Sequence, residues 1–134
     1  MNDYLCDTNH LSTIVTPGHP VGERIARQIR YGDTFAVPAP VLTETLYGIL
    51  TLSRAKENFK EWQRSSVMFT YYRVEREDAE DAAHLQVSLR KQGEQLETVD
   101  AIIAIIASRY DLILLTTDHD FDAVEGLETE NWFE

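Results

Sequence analysis

Residues 99–118 read VDAIIAIIASRYDLILLTTD, and this stretch decides the fold. Ile102, Ile103, Ile105 and Ile106 cover several faces of a helix expected over Val99–Arg109, which marks it as deeply buried, and Thr98 is placed to cap its start. Tyr110-Asp111 turns the chain into Leu112–Thr116, an unbroken apolar strand of the kind found in parallel sheets covered on both faces. Such a helix rises about 16 Å and such a strand spans a similar length. Asp100, at the helix start, therefore returns to the edge of the sheet where Asp118 follows the strand.

Outward from this unit the same alternation recurs. Tyr4-Leu5-Cys6 is a short buried strand closed by the polar run Asp7-Thr8-Asn9. Val21, Ile25 and Ile29 give helical spacing over Val21–Tyr31, with Arg24, Arg27 and Arg30 on another face. Thr34–Val37 is a second strand, ended by Pro38-Ala39-Pro40 ahead of a helix over Val41–Leu52 whose first turn holds Glu44. A helix over Lys56–Arg64 and a β-rich run over Met68–Val74 follow, the latter carrying Phe69, Tyr71 and Tyr72. Glu77–Gln92 opens on acids, ends on Arg90-Lys91 and is closed by Gly93, the order that the helix dipole favours. A last short strand is expected over Leu127–Glu130. Helices alternating with short buried strands predict an α/β fold, a three-layer α/β/α sandwich with a short central parallel sheet, built as one domain over residues 1–134.

Composition narrows the setting. The longest apolar run, Ala101–Ala107, is far too short to cross a bilayer, and the first residues lack the pattern of a signal peptide, so a cytoplasmic location and no membrane partner are expected. A single cysteine, Cys6, leaves no internal disulfide and reads as a small buried side chain of the first strand. The net charge of −11 runs against the basic surface expected of a nucleic-acid enzyme. Two bound divalent cations would offset four of those charges, and a basic partner protein would suit the rest.

Open α/β sheets bind ligands beyond the carboxyl ends of their strands. Asp7 follows the first strand, Asp118 follows the fourth, Asp100 returns to the same edge, and Glu44 reaches it if the sheet is parallel. Carboxylates gathered within about 4–6 Å raise one another's pKa unless a cation lies between them. Oxygen donors with no well-placed His or Cys select Mg²⁺ or Mn²⁺ over zinc, and such ions equip phosphodiester hydrolysis. Each acid also has a plainer reading. Asp7 can cap or form an Asx-turn, Asp100 can favour the helix dipole, and Asp118–Asp122 can be a solvated turn with Phe121 in the core. Glu44, in a mostly apolar helix beside Leu42 and Leu46, is expected to need a partner. His10 and His119 read as polar surface residues, Tyr47 and Trp62 as packing residues, and the arginine stripe as a solvated face or a phosphate track.

The pattern resembles the PIN-domain ribonucleases, and within them the VapC-type toxins of toxin–antitoxin modules. The resemblance covers nearly the whole chain and rests on Leu5-Cys6-Asp7-Thr8-Asn9, on Glu44 followed by Gly48, on Gly93 leading to Asp100-Ala101-Ile102-Ile103-Ala104, and on Leu115-Thr116-Thr117-Asp118-His119-Asp120-Phe121. It implies a PIN-like fold in which Asp7, Glu44, Asp100 and Asp118 are the catalytic, metal-binding quartet and Asp120 an extra acid. Thr8, Asn9 and Thr116 would support them, while the candidates for substrate binding, Arg24, Arg27 and Arg30, come from their stripe on one helix face and not from the resemblance. It further implies Mg²⁺- or Mn²⁺-dependent cleavage of RNA, a homodimer, and inhibition by a small cognate antitoxin.

Two other functions compete. A haloacid-dehalogenase-type phosphatase also starts at a strand-end Asp but needs a second Asp two residues later, where this chain has Asn9, and a lysine at the phosphate. A catalytically idle PIN-like binding module would use the acids only for a structural ion or a partner's arginine. Loss of RNA cleavage on Asp7→Asn and Asp100→Asn separates that module from the enzyme.

Overall fold

The three inner strands of the sheet, Asp3–Cys6, Thr34–Pro38 and Ile113–Leu115, carry buried apolar runs, the pattern of parallel strands covered by helices on both sides, whereas the two edge strands are polar or exposed. In the computed structural model, which describes residues 1–134, the chain runs β1 (Asp3–Cys6), α1 (Thr8–Leu11), α2 (Pro20–Arg30), β2 (Thr34–Pro38), α3 (Ala39–Thr51), α4 (Ala55–Ser65), β3 (Thr70–Tyr72), α5 (Arg76–Lys91), α6 (Thr98–Arg109), β4 (Ile113–Leu115) and β5 (Thr129–Glu130). Single 3-10 turns occupy Ser12–Val15, Ser66–Met68 and His119–Ala123.

The sheet order is β3-β2-β1-β4-β5. Tyr4 pairs with Phe35 on one side and Ile113 on the other, so β1 is central. From β1 the chain steps outward to β2 and β3, then returns to the far side of β1 for β4. Because parallel crossovers are right-handed, that reversal puts α1–α4 on one face and α5–α6 on the other. The helix contacts agree: α5 packs along α6, while α3 packs on α4 and α1 on α3. The three-layer α/β/α sandwich expected from the sequence is the fold observed. No helix is long and apolar enough to cross a membrane.

The core is built from both periodicities. Leu5, Cys6, Val37, Leu114 and Leu115 from the sheet meet Ile25, Val41, Ile103, Ala104 and Ile106 from the helices, all fully or almost fully buried. Fully burying one such aliphatic side chain stabilises the fold by about 1.5–3 kcal/mol. Cys6 sits there as expected, its thiol pushed up to about 12 by burial and by the neighbouring Asp7 carboxylate, and so inert. At the α2 entry Gly22 is required by space, since a Cβ there would lie 2.6 Å from the Thr13 carbonyl oxygen. Between α5 and α6, buried Asp78 pairs with Arg109, which also reaches Asp81 at 2.5 Å, and Asp78 accepts the Glu75 N–H in a capping box.

Several local expectations are corrected. The polar run after β1 is a turn of helix, α1, started by Asp7 as its cap. Helix α3 begins at Ala39, so Glu44 lies in its second turn and not its first. Thr98 is the first residue inside α6 and does not cap it, the cap position being Glu97; its hydroxyl accepts from the Gln86 amide at 3.2 Å. The β-rich run is a strand only over Thr70–Tyr72, with Phe69 turned inward to stack on Trp62.

Candidate metal centre

The crevice lies at the carboxyl ends of β1 and β4, where the chain reverses its direction across the sheet. Asp7 is the first residue past β1, and its N–H donates to the Leu115 carbonyl at 2.9 Å, extending the β1–β4 ladder to the rim. One carboxylate oxygen, Oδ1, accepts the Thr8 N–H at 2.9 Å and so caps α1. The other, Oδ2, accepts the Thr116 hydroxyl at 2.8 Å. Thr116 is buried, and its Oγ1 in turn accepts the Asp118 N–H at 3.0 Å. Asp118 caps the next turn by accepting the Asp120 N–H at 2.8 Å. A single hydroxyl thus ties together the two loops that carry Asp7 and Asp118. The plain reading of Asp7 as a cap is correct, and the Asp118–Asp122 turn does bury Phe121, yet each carboxylate has about four lone-pair positions and capping occupies only part of them.

Asp100 is the third residue of α6, half-buried at the same edge. Its carboxyl is pushed from an ordinary 3.8 up to about 6, first by burial, then by the charges of Asp7, Asp118, Glu44 and Asp120 in that order, with no hydrogen bond offsetting them. Four acids from three other segments therefore act on Asp100. Asp100 lies at the Asp118 edge as expected, although β4 covers only Ile113–Leu115 and not the whole of Leu112–Thr116.

No three His, Cys, Asp or Glu side chains form a ready-made cage around one point. The donor set is carboxylate and hydroxyl oxygen, without imidazole or thiolate: the fully buried His10 points its Nε2 at the Trp132 N–H, 3.0 Å away. Oxygen donors with room left for water fit a small hard cation such as Mg²⁺ or Mn²⁺, which keeps several waters and needs only one or two carboxylates from the protein. The residues present fit such an ion.

The flanking residues fall out variously. Asn9 is exposed and its amide donates to the Thr117 hydroxyl at 2.8 Å, bracing α1 against the loop that leads to Asp118. The Thr8 hydroxyl is buried and finds no partner. Glu44 is exposed, so the argument that burial forces a partner on it fails; its charge reaches Asp100 all the same. Arg24 is not free to track phosphate, because its guanidinium lies 3.7 Å from the Trp132 ring centroid and donates to Gln28 at 2.7 Å. Arg27 and Arg30 are exposed. His10 is a core residue and not a surface one, its imidazole kept neutral by burial and its pKa lowered to about 4. His119 is exposed as expected. Trp62 packs in the core, whereas Tyr47 is solvent-exposed. The sequence reading passed over Trp132, Phe133 and His19, although two adjacent aromatics after the last strand were a visible signal.

Comparison with known proteins agrees with this architecture. The family model described as "PIN domain" matches residues 4–127. No curated protein matches the chain in sequence. Among solved structures, VapBC2 from Rickettsia felis, bound to a DNA fragment from their promoter, is 19% identical with a TM-score of 0.82 over 97% of this chain and 98% of that one. FitAcB from Neisseria gonorrhoeae is 20% identical, with a TM-score of 0.77 over 96% of each chain. VapC20 from Mycobacterium tuberculosis, a sarcin–ricin loop cleaving toxin, is 18% identical with a TM-score of 0.67 over 93% and 97%.

Proposed function

This chain belongs to the PIN-domain family, and from that premise we propose that it is a Mg²⁺- or Mn²⁺-dependent endoribonuclease, the toxin of a toxin–antitoxin pair. The observation that carries the reading is Asp100, half-buried among four other carboxylates at the β1–β4 crevice with no protein cation to neutralise them. Asp7, Glu44, Asp100 and Asp118 would hold the ion, with Asp120 at the rim. Bound there, Mg²⁺ or Mn²⁺ supplies the neutralisation of phosphate charge and the activation of water that in-line phosphodiester hydrolysis needs.

The chain's own residues contribute orientation. Thr116 holds Asp7 Oδ2 and the Asp118 backbone in one arrangement, and the Asn9–Thr117 bond fixes the loop beside them. Asp100 is the third residue of α6, and the N-terminal turn of a helix favours negative charge, whether an ionised carboxylate or a phosphate. The likeness to VapC20, which cleaves the sarcin–ricin loop, supports RNA as the substrate class. The likeness to a toxin–antitoxin complex from Klebsiella pneumoniae, 22% identical with a TM-score of 0.67, supports a small antitoxin as partner. Exposed Tyr47, Leu50, Leu52 and Val67 offer apolar surface for that antitoxin or for the second subunit of a homodimer.

The test is cleavage of RNA by purified protein with Mg²⁺ or Mn²⁺, beside the chelated protein and the Asp7→Asn and Asp100→Asn variants. Cleavage that needs the ion and is lost in both variants is expected. Cleavage equal in all of them would refute the assignment, and none in any would leave an idle binding module.

A further inference from the structure

A cavity of about 510 Å³ opens beside the crevice, between α1, the start of α2 and the Asn131–Phe133 tail, lined among others by Asn9, Thr16, His19, Thr117, Asn131 and Phe133. Asn9 and Thr117 stand next to the acidic loops, so the cavity begins where the carboxylates end. No Asp, Glu, Lys or Arg lines it. In a chain of net charge −11 that is distinctive: the cavity along α3 includes Glu44, and the one on the other side of Thr117 includes Asp122, Glu130 and Glu134. A polyanion leaving the crevice meets less repulsion along this path than along those two, although Asn131 at its far end donates to the Glu134 carboxylate at 3.3 Å.

Its lining offers what a base needs. Phe133 stays 46% exposed, held edge-on by His10 (ring centroids 4.9 Å apart, planes at 85°) and His19 (5.6 Å, 69°). Its backbone N–H donates to Asn131 Oδ1 at 2.9 Å, which fixes the ring's position. His19 Nδ1 accepts the Val21 N–H at 3.1 Å, so in the neutral ring Nε2 carries the hydrogen and donates. Thr117 Oγ1 accepts from Asn9 and keeps its own O–H to give, while Asn9 Oδ1 remains an acceptor. An aromatic face with fixed donors and an acceptor around it is the recurrent way of holding an unstacked base of single-stranded RNA.

We infer that this cavity is the subsite for one nucleobase next to the scissile phosphate, with Phe133 as the stacking face and Thr117, Asn9 and His19 reading the base edge. The inference rests on the ribonuclease reading above. It makes base preference a property of the tail and of α1, separate from the carboxylates.

The experiment measures binding of labelled single-stranded RNA homopolymers to the Asp100→Asn protein by fluorescence anisotropy, and cleavage-site choice in the otherwise native protein with Mn²⁺. Phe133→Leu keeps apolar bulk but removes the stacking face; it should weaken binding about five-fold or more, the range for losing one base–aromatic stack. Phe133→Trp should bind as the native residue does, and His19→Phe, which keeps an aromatic ring but removes the Nε2 donor, should shift which base lies beside the cut. A protein that cleaves RNA but is indifferent to Phe133→Leu and His19→Phe would overturn the subsite alone. A native protein that neither binds nor cleaves RNA overturns the subsite together with the ribonuclease reading.

Discussion

Replacing Asp100 with Asn should stabilise the ion-free protein while abolishing its activity. In the folded chain the Asp100 carboxyl titrates near 6 instead of 3.8, because it is half-buried and faces Asp7, Asp118, Glu44 and Asp120. An acid whose folded pKa lies above its unfolded one costs stability at high pH. The deficit is absent below the unfolded value, grows as pH rises from about 3.8 through 6, and is complete near 7. A shift of that size corresponds nominally to about 3 kcal/mol. Solvent screening at a half-exposed carboxyl reduces this to on the order of 1–2 kcal/mol. Asn also forfeits the attraction of a charged residue for the first turn of α6, about 0.3–1 kcal/mol. The net gain is about 1 kcal/mol, or roughly 3–5 °C in melting temperature for a domain of this size. Thermal melts in chelator at pH 7.5 and pH 4.5 check it: Asp100→Asn should melt higher at pH 7.5, and the advantage should shrink to about a third or less at pH 4.5. A variant that melts lower at pH 7.5, or whose difference from the native protein ignores pH, would show that the carboxylates do not crowd one another.

Thr116→Val removes the hydroxyl that joins Asp7 to the Asp118 backbone, so RNA cleavage should fall about 10- to 100-fold, the usual cost of losing an outer partner of a ligand; single-turnover rates with Mn²⁺ measure it. Arg109→Ala strands the fully buried Asp78 without its cation, and urea unfolding should register a loss of about 3–5 kcal/mol with the unfolding slope unchanged. His10, buried and lowered to about 4, makes the fold lose stability as pH falls from 6.5 toward that value, because the unfolded chain takes up the proton first. Nitrogen-detected NMR at pH 5.5 should find the His10 ring neutral, with its hydrogen on Nδ1 and Nε2 accepting from Trp132.

The parts of the fold that the sequence announces are those whose elements are long and periodic. The Ile run and the Leu112–Thr116 block announce helix α6 and strand β4, and the reversal between them brings Asp100 to the Asp118 edge, although β4 itself covers only Ile113–Leu115. Helix α1 left no such trace: four residues cannot display a helical period, and the turn exists because Asp7 accepts the Thr8 N–H. Glu44 was misjudged because apolar sequence neighbours do not specify which face of α3 is covered. Residues settled by distant partners were the least legible. His10 is buried and Arg24 stacked because Trp132, more than a hundred positions away, folds back over both. The Thr116 bridge likewise joins residues 109 positions apart, which no local pattern encodes.

Calorimetric titration of Mn²⁺ into the protein at pH 7.5, repeated on Asp7→Asn, Asp100→Asn and Asp118→Asn, bears most directly on the carboxylate site. Saturable binding to the native chain, weakened at least ten-fold by each substitution, is the predicted result. Binding that is absent, or that all three variants retain unchanged, contradicts it.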